Sequence, residues 1–312
     1  MNIYNSLQEF KPLKNTVVTI GTFDGVHVGH QKIISRVNEI ARNSSGESVV
    51  LTFFPHPRMV LYPHDHGLLL LNTLEEKKLM LEAYGVNHLI IHPFTKEFSQ
   101  TSVTGYVRDI LVNKIGTKKL VIGYDHHFGR NREGRLKDLQ ELGSEFGFDV
   151  EEIPEQDIHE VAVSSTKIRN SLLAGDVATA REFLGYDYSL TGIVIKGKGL
   201  GKTLGFPTAN IHVEENYKLI PAKGIYAVSV SFPDFPQTEE TIGMLSIGTR
   251  PTFDDGEVSI EVNILDFNDD IYGEKITVYF KHRLRDELKF KSAADLVKQM
   301  EKDKDETIRL LS

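Results

Sequence analysis

The sequence contains no cysteine in 312 residues. That removes disulfides, thiolate metal sites and a cysteine nucleophile. Positive charge is not in excess either: 36 basic against 44 acidic residues give a formal net charge of −8. A general nucleic-acid or anionic-membrane binder would carry the opposite sign, although a local phosphate site is compatible with this balance. Long apolar runs are missing. The longest, Gly67-Leu68-Leu69-Leu70-Leu71, falls far short of the ~20 residues of a membrane-spanning helix. Residues Met1 to Phe10 show no basic stretch followed by an apolar core, so no signal peptide and a cytoplasmic location are expected. What remains is the composition of an ordinary globular protein, 40% apolar and 26% charged. The length suits two domains of the usual ~100–200 residues.

The first half alternates strand-like and helix-like runs. Thr16-Val17-Val18-Thr19-Ile20 is β-branched and apolar. Ile33, Ile34, Val37, Ile40 and Ala41 have helical spacing. Further strands are expected at 49–54, 88–91, 119–122 and 149–153, and helices at 74–84, 102–113 and 136–146. Strands separated by helices predict a parallel sheet with helices on both faces. Ligands of such sheets bind beyond the carboxyl ends of the strands.

Polar clusters fall at those ends. The first is Gly21-Thr22-Phe23-Asp24-Gly25-Val26-His27-Val28-Gly29-His30, a glycine turn leading into a helix. The helix N-terminus and two imidazoles suit a nucleotide phosphate. Asp24 reads as a metal ligand or as a structural acid. The second is Phe54-Pro55-His56-Pro57-Arg58, whose prolines are expected to hold His56 and Arg58 out of regular structure. The third, residues 123–134, is a glycine-bracketed loop with Asp125, Phe128, Arg130 and Arg132. The fourth is Ser164-Ser165-Thr166-Lys167-Ile168-Arg169, either a helix cap or a phosphate site.

His27-x-Gly29-His30 with Ser164-Ser165-Thr166-x-Ile168-Arg169 resembles the nucleotidyltransferase superfamily. Gly21 to His27 and Phe54-Pro55-His56-Pro57 resemble the FMN adenylyltransferase half of the prokaryotic bifunctional FAD synthetases. The resemblance implies a Rossmann-like α/β domain in which Gly21, Phe23, Asp24, His27, His30, Ser164, Ser165, Thr166 and Arg169 bind ATP. His27, His30 and Arg169 would be catalytic, and His56, Arg58, Asp125 and Phe128 would bind flavin. His126 stands where that family usually has Phe.

Residues 171–185 read as two short helices around Gly175-Asp176, and the domain boundary is placed near residue 185. Beyond it come short strands at near-regular spacing: 188–196, 224–230, 241–247, 258–265 and 275–280. They predict a small antiparallel barrel. The loop Gly197-Lys198-Gly199-Leu200-Gly201-Lys202 reads as a phosphate-wrapping nest or a flexible hairpin, and not as a Walker P-loop. Thr208 and Asn210 are candidate Mg²⁺ ligands. Glu261 alternates onto one strand face with Ser259, Asn263 and Leu265, where a carboxylate could take a proton from an attacking alcohol. The terminal run 293–311 predicts an amphipathic helix with Leu296, Met300 and Ile308 near one face.

Leu204-Gly205-Phe206-Pro207-Thr208-Ala209-Asn210, Gly224-Ile225-Tyr226-Ala227, residues 247–253 and Glu261 resemble riboflavin kinase. That resemblance implies a six-stranded Greek-key β-barrel, with Thr208 and Asn210 binding Mg-ATP, Gly197 and Lys202 on the nucleotide, Arg250 on the flavin and Glu261 as catalytic base. Ser246 and Asn263 depart from the usual Asn and His. The expectation is a bifunctional enzyme of 1–185 and 186–312, converting riboflavin and ATP to FMN, and FMN and ATP to FAD. Its partners would be ATP, riboflavin and FMN, with neither nucleic acid nor membrane. The alternative is a monofunctional enzyme with one half impaired.

Overall fold

The computed structural model describes residues 1–63, 67–124, 127–154, 163–197, 199–232, 241–249 and 258–312. Packing divides the chain into two units, Met1–Ser165 and Thr166–Ser312.

The first unit is built on six parallel strands: β1 (Asn2–Tyr4), β2 (Thr16–Ile20), β3 (Glu47–Phe53), β4 (His88–His92), β5 (Thr117–Gly123) and β6 (Asp149–Ile153). Their order is β1-β4-β3-β2-β5-β6. Every residue of β2 is buried, which explains its run of apolar and β-branched residues without alternation. Successive side chains of β2 go to opposite faces. Val17 packs with Ile33, Val37 and Ala41 of helix α1 (Val28–Asn43). Val18 and Ile20 pack instead with Val107, Leu111 and Ile115 of the helix on the other face. That second helix is expected at 102–113 and is found as one turn at Val103–Gly105 passing into a π-helix, Tyr106–Ile115.

Two local features differ from expectation. Strand β1 is three residues long and has no apolar alternation; only its ladder with β4 makes it a strand. Arg58 is not held out of regular structure. It lies in helix α2 (Pro57–Leu61), where Pro57 occupies the first turn and His56 is the N-cap, a position at which proline's fixed φ favours the helix. Helices α3 (Leu74–Ala83) and α4 (Leu136–Phe146) fall where periodicity places them.

In the second unit, helices α5 (Ser165–Leu173) and α6 (Val177–Leu184) lead into a closed barrel. Its strands are β7 (Ser189–Ile195), β8 (Ala209–His212), β9 (Gly224–Ser231), β10 (Thr241–Thr249), β11 (Val258–Ile264) and β12 (Lys275–Arg285). All neighbours are antiparallel, in the order β10-β11-β8-β7-β12-β9. Strand β12 runs five residues past its expected end, through two register shifts against β9, and bulges of this kind bend a long strand round a barrel.

The terminal helix α7 (Ala293–Leu311) has the expected limits, and Leu296 and Met300 are half-buried on the expected face, but Ile308 is not. Ile308 is exposed, and the buried residues are Asp303 and Thr307. The Arg285 guanidinium makes this possible: its Nε donates to Asp303 Oδ1 at 3.0 Å and its Nη2 to Asp303 Oδ2 at 2.6 Å. A carboxylate so paired tolerates burial that an isolated one does not.

Candidate active sites

Three polar clusters of the first unit directly follow β2, β3 and β5 at the carboxyl edge of one sheet, and Ser165 joins the first of them through its bond to the Asp24 carbonyl. The turn after β2 is the most constrained. Phe23 and Val26 adopt φ of 47° and 34°, uncommon for side chains of that size and held only where surrounding bonds enforce it. Those bonds are present. The Asp24 carboxylate accepts from the Leu71 N–H at 2.9 Å, and the Asp24 carbonyl accepts from the Ser165 hydroxyl at 2.9 Å. Gln31 Nε2 donates to the Val26 carbonyl at 2.8 Å. Asp24 is almost fully buried, so of its two sequence readings the structural one describes its contacts.

His27 caps α1, its Nδ1 accepting from the His30 N–H at 3.4 Å. The His27 and His30 rings stack with centroids 3.7 Å apart, and Phe23 meets His30 edge-on at 5.1 Å. Burial, then the nearby His27 and Lys77, hold the His30 imidazole well below its ordinary titration range. It is therefore neutral at physiological pH. Its buried Nδ1 has no hydrogen-bond partner among the described residues, a ring nitrogen of the kind that a bound phosphate or water would satisfy. Gly21 donates its N–H to the Leu51 carbonyl.

The remaining first-half residues are placed as follows. His56 Nδ1 accepts from the Arg58 N–H at 3.2 Å. Phe128 is a core side chain packed on Tyr106, and its backbone forms a two-way bridge with Gly134. Asp125 and His126 lie outside the described residues. Thr166 is exposed and Arg169 half-buried in the first turns of α5.

In the barrel the register does the assembling. Glu261 on β11 lies directly opposite Asn210 on β8 and Ser246 on β10, so their side chains share a face. Thr208 Oγ1 donates to Glu261 Oε2 at 3.1 Å. Gly197 makes room for the Asn210 amide, because a Cβ there would sit 2.1 Å from Asn210 Nδ2. Asn263 is buried and donates through Nδ2 to the Pro207 carbonyl at 2.7 Å, tying β11 to the loop that carries Thr208. Lys202 lies exposed in a single helical turn, Leu200–Thr203, inside the segment expected to be a nest or hairpin. Arg250 and residues 251–253 lie outside the described residues.

Glu261, Thr208 and Asn263 line a cavity of about 400 Å³ whose apolar wall includes Leu288, Phe290, Leu296 and Met300. Sequence reasoning placed Leu296 and Met300 on the helix but missed Leu288, Phe290 and Glu287 of this wall. They lie between β12 and α7, where no periodicity marks them. It also missed Lys77, buried beside the histidine turn.

No group of three or more His, Asp or Glu side chains suited to a metal lies among the described residues. The donors that converge at Glu261 are instead the Thr208 hydroxyl, the Asn210 amide and the carboxylate itself. Such oxygens fit a hard divalent cation completed by substrate phosphates.

Comparison with known proteins places these sites in context. Residues 9–167 match the FAD synthetase family model and residues 184–311 the riboflavin kinase model. The bifunctional riboflavin kinase/FMN adenylyltransferase of Listeria monocytogenes is 40% identical over 295 residues, 94% of this chain and 91% of that one. Its Bacillus subtilis counterpart is 36% identical, covering 95% and 93%. A Streptococcus pneumoniae crystal structure, described as a macrolide-efflux protein, superposes with a TM-score of 0.89 at 32% identity over 99% of each chain. Among the described residues of the present chain, no helix is long and apolar enough to cross a membrane.

Proposed function

The chain belongs to the bifunctional riboflavin kinase/FMN adenylyltransferase family, and on that footing we propose how its residues divide the chemistry. Residues 186–312 transfer the γ-phosphoryl group of ATP to riboflavin, giving FMN and ADP. Residues 1–185 transfer the adenylyl group of a second ATP to FMN, giving FAD and diphosphate. The observation that carries the first assignment is the hydrogen bond from Thr208 to Glu261 opposite Asn210.

In the barrel, Glu261 takes the proton of the riboflavin hydroxyl as its oxygen attacks the γ-phosphorus. Thr208 holds the carboxylate in place for that role. Thr208 and Asn210 are the residues that would hold a divalent cation, Mg²⁺ in this proposal. That ion neutralises phosphate charge when bound. Gly197 and Lys202 border the nucleotide. The flavin ring system occupies the cavity against Leu288, Phe290, Leu296 and Met300, an apolar wall with few polar groups, as ring ligands require. Arg250 is assigned to the flavin from the sequence motif.

In the first half no covalent nucleophile is needed. An oxygen of the FMN phosphate attacks the α-phosphorus of ATP, and the bond to diphosphate breaks. Catalysis is positioning and charge stabilisation. Gly21, Phe23, Asp24 and the α1 N-terminus shape the phosphate turn. His27, His30, Ser164, Ser165, Thr166 and Arg169 supply donors to the phosphates. Neutral His30 offers an N–H and not a full charge. His56, Arg58, Asp125 and Phe128 form the flavin side of the site.

The test is incubation of the whole chain with riboflavin, ATP and Mg²⁺, following FMN and FAD by chromatography. Both products are expected, FMN first. Glu261→Ala should lower riboflavin phosphorylation by about 10²- to 10⁴-fold and leave FMN-to-FAD conversion intact. Wild-type FMN formation by that variant removes Glu261 as the base. FMN without FAD identifies a monofunctional kinase, and FAD formed only when FMN is supplied identifies a monofunctional adenylyltransferase.

A further inference from the structure

Lys77 is a buried cation for which the reaction scheme above has no use. It lies on α3 in the run Glu75-Glu76-Lys77-Lys78, where a lysine would ordinarily stand in water. Here it is 4% exposed, and its Nζ donates to the Thr22 carbonyl at 2.7 Å. Burying an ammonium is costly unless it is hydrogen-bonded and charge-compensated. Burial pulls the Lys77 ammonium below its ordinary titration range; against that, Thr22 accepts its hydrogen bond and the charge of buried Asp24 favours the charged form. The same carbonyl also accepts from Thr52 Oγ1 on β3 at 3.3 Å.

We propose that Lys77 is a positioning residue for adenylyl transfer: its ammonium holds the Gly21–His27 turn through the Thr22 carbonyl and sets the charge experienced by the His30 imidazole. The proposal rests on the adenylyl-transfer reading of that turn. The residue after Thr22 is Phe23, whose left-handed backbone needs external restraint. Thr52, Gln31, Ser165 and Lys77 all bond backbone carbonyls of this turn, and of these side chains Lys77 alone carries a charge. A misplacement of ~1 Å at such a turn costs on the order of 10²-fold in rate.

The charge acts on the histidine pair. Among the described residues, the charged and titratable groups that bear on His30 are His27 of the turn and Lys77 of α3, with Asp24 acting on Lys77. His27 and Lys77 add to burial in keeping His30 neutral. Removing the Lys77 charge relieves one of these effects and withdraws a positive charge that offsets the Asp24 carboxylate. Both changes favour the imidazolium, so His30 would protonate at higher pH.

The experiment uses the whole chain carrying Lys77→Met and, separately, Lys77→Gln. FMN-to-FAD conversion is measured across pH, with riboflavin phosphorylation and thermal unfolding of the same samples as controls. Lys77→Met is expected to lower kcat/KM for adenylyl transfer by about 10²-fold. Lys77→Gln keeps a donor for the Thr22 carbonyl and should recover part of that loss. In both variants the acidic limb of the pH profile moves to higher pH, while riboflavin phosphorylation is unchanged. If Lys77→Met does not fold, Lys77→Gln carries the test. Wild-type rates and pH profile in the folded variants overturn the proposal. So does a loss of rate with an unmoved acidic limb, which would make Lys77 structural only. Absence of FAD formation by the wild-type chain would instead overturn the adenylyl-transfer reading.

Discussion

Asn263 shows how one amide can serve a site without touching the reacting atoms. It shares the Glu261 face of β11, and its bond to the Pro207 carbonyl fixes the residue before Thr208. Asn263→Ala removes that donor from a part-buried carbonyl, a change worth about 1–3 kcal/mol. Riboflavin phosphorylation should fall and KM for ATP should rise, with adenylyl transfer unaffected; steady-state kinetics of the two reactions check this. Asp24 shows the reverse relation between appearance and contact. Its place in a phosphate-turn motif suggests a ligand to metal, yet its Oδ1 accepts from the Leu71 and Asn72 N–H groups.

At the scale of elements, α7 is fastened to the barrel by charge as well as by apolar contact. Arg285 meets Asp303 through three hydrogen bonds, Gln299 adds a fourth to Asp303, and Thr307 closes onto the Asp303 carbonyl. Asp303→Ala would leave the guanidinium unpaired in a largely buried position. The expected loss is about 3–5 kcal/mol, read from chemical denaturation. Because Asp303, Leu296 and Met300 line the same cavity, KM for riboflavin should rise in the same variant. In the first unit, α3 starts at a Thr73–Glu76 capping box, which fixes the helix that presents Lys77 to the turn proposed for adenylyl transfer.

For the whole molecule, the two family models cover separate stretches of chain; His27 and His30 lie within the first and Glu261 within the second, while Arg169 lies two residues beyond the first. FMN is the product of one reaction and the substrate of the other. A chain carrying Glu261→Ala should make FAD only from supplied FMN, and one carrying His30→Ala should stop at FMN. An equimolar mixture of the two is expected to restore riboflavin-to-FAD conversion, with a lag while FMN accumulates, followed by chromatography. Failure of the mixture, with each variant active in its own remaining reaction, would show that FMN is not released between the steps.

Much of this was open to reading along the chain. Thr16–Ile20, the helical period of Ile33 to Ala41, the glycine closing α4 and the alternation through Glu261 are short-range patterns. Backbone geometry and the side-chain period dictate them with little help from the rest of the protein. The motif resemblances extended the same reading to both reactions. Tertiary structure alone decided the state of the polar groups. It made Asn2–Tyr4 a strand by giving it β4 as a partner. It turned α7 so that Asp303 and not Ile308 is buried, and took Lys77 out of water to meet Thr22. The physical reason is common to these cases: each depends on a partner distant in sequence. Hydrophobic period and turn chemistry are properties of neighbours in sequence. Whether a charge can be desolvated depends on partners 18 residues away for Asp303 and 55 for Lys77, and no local pattern encodes them.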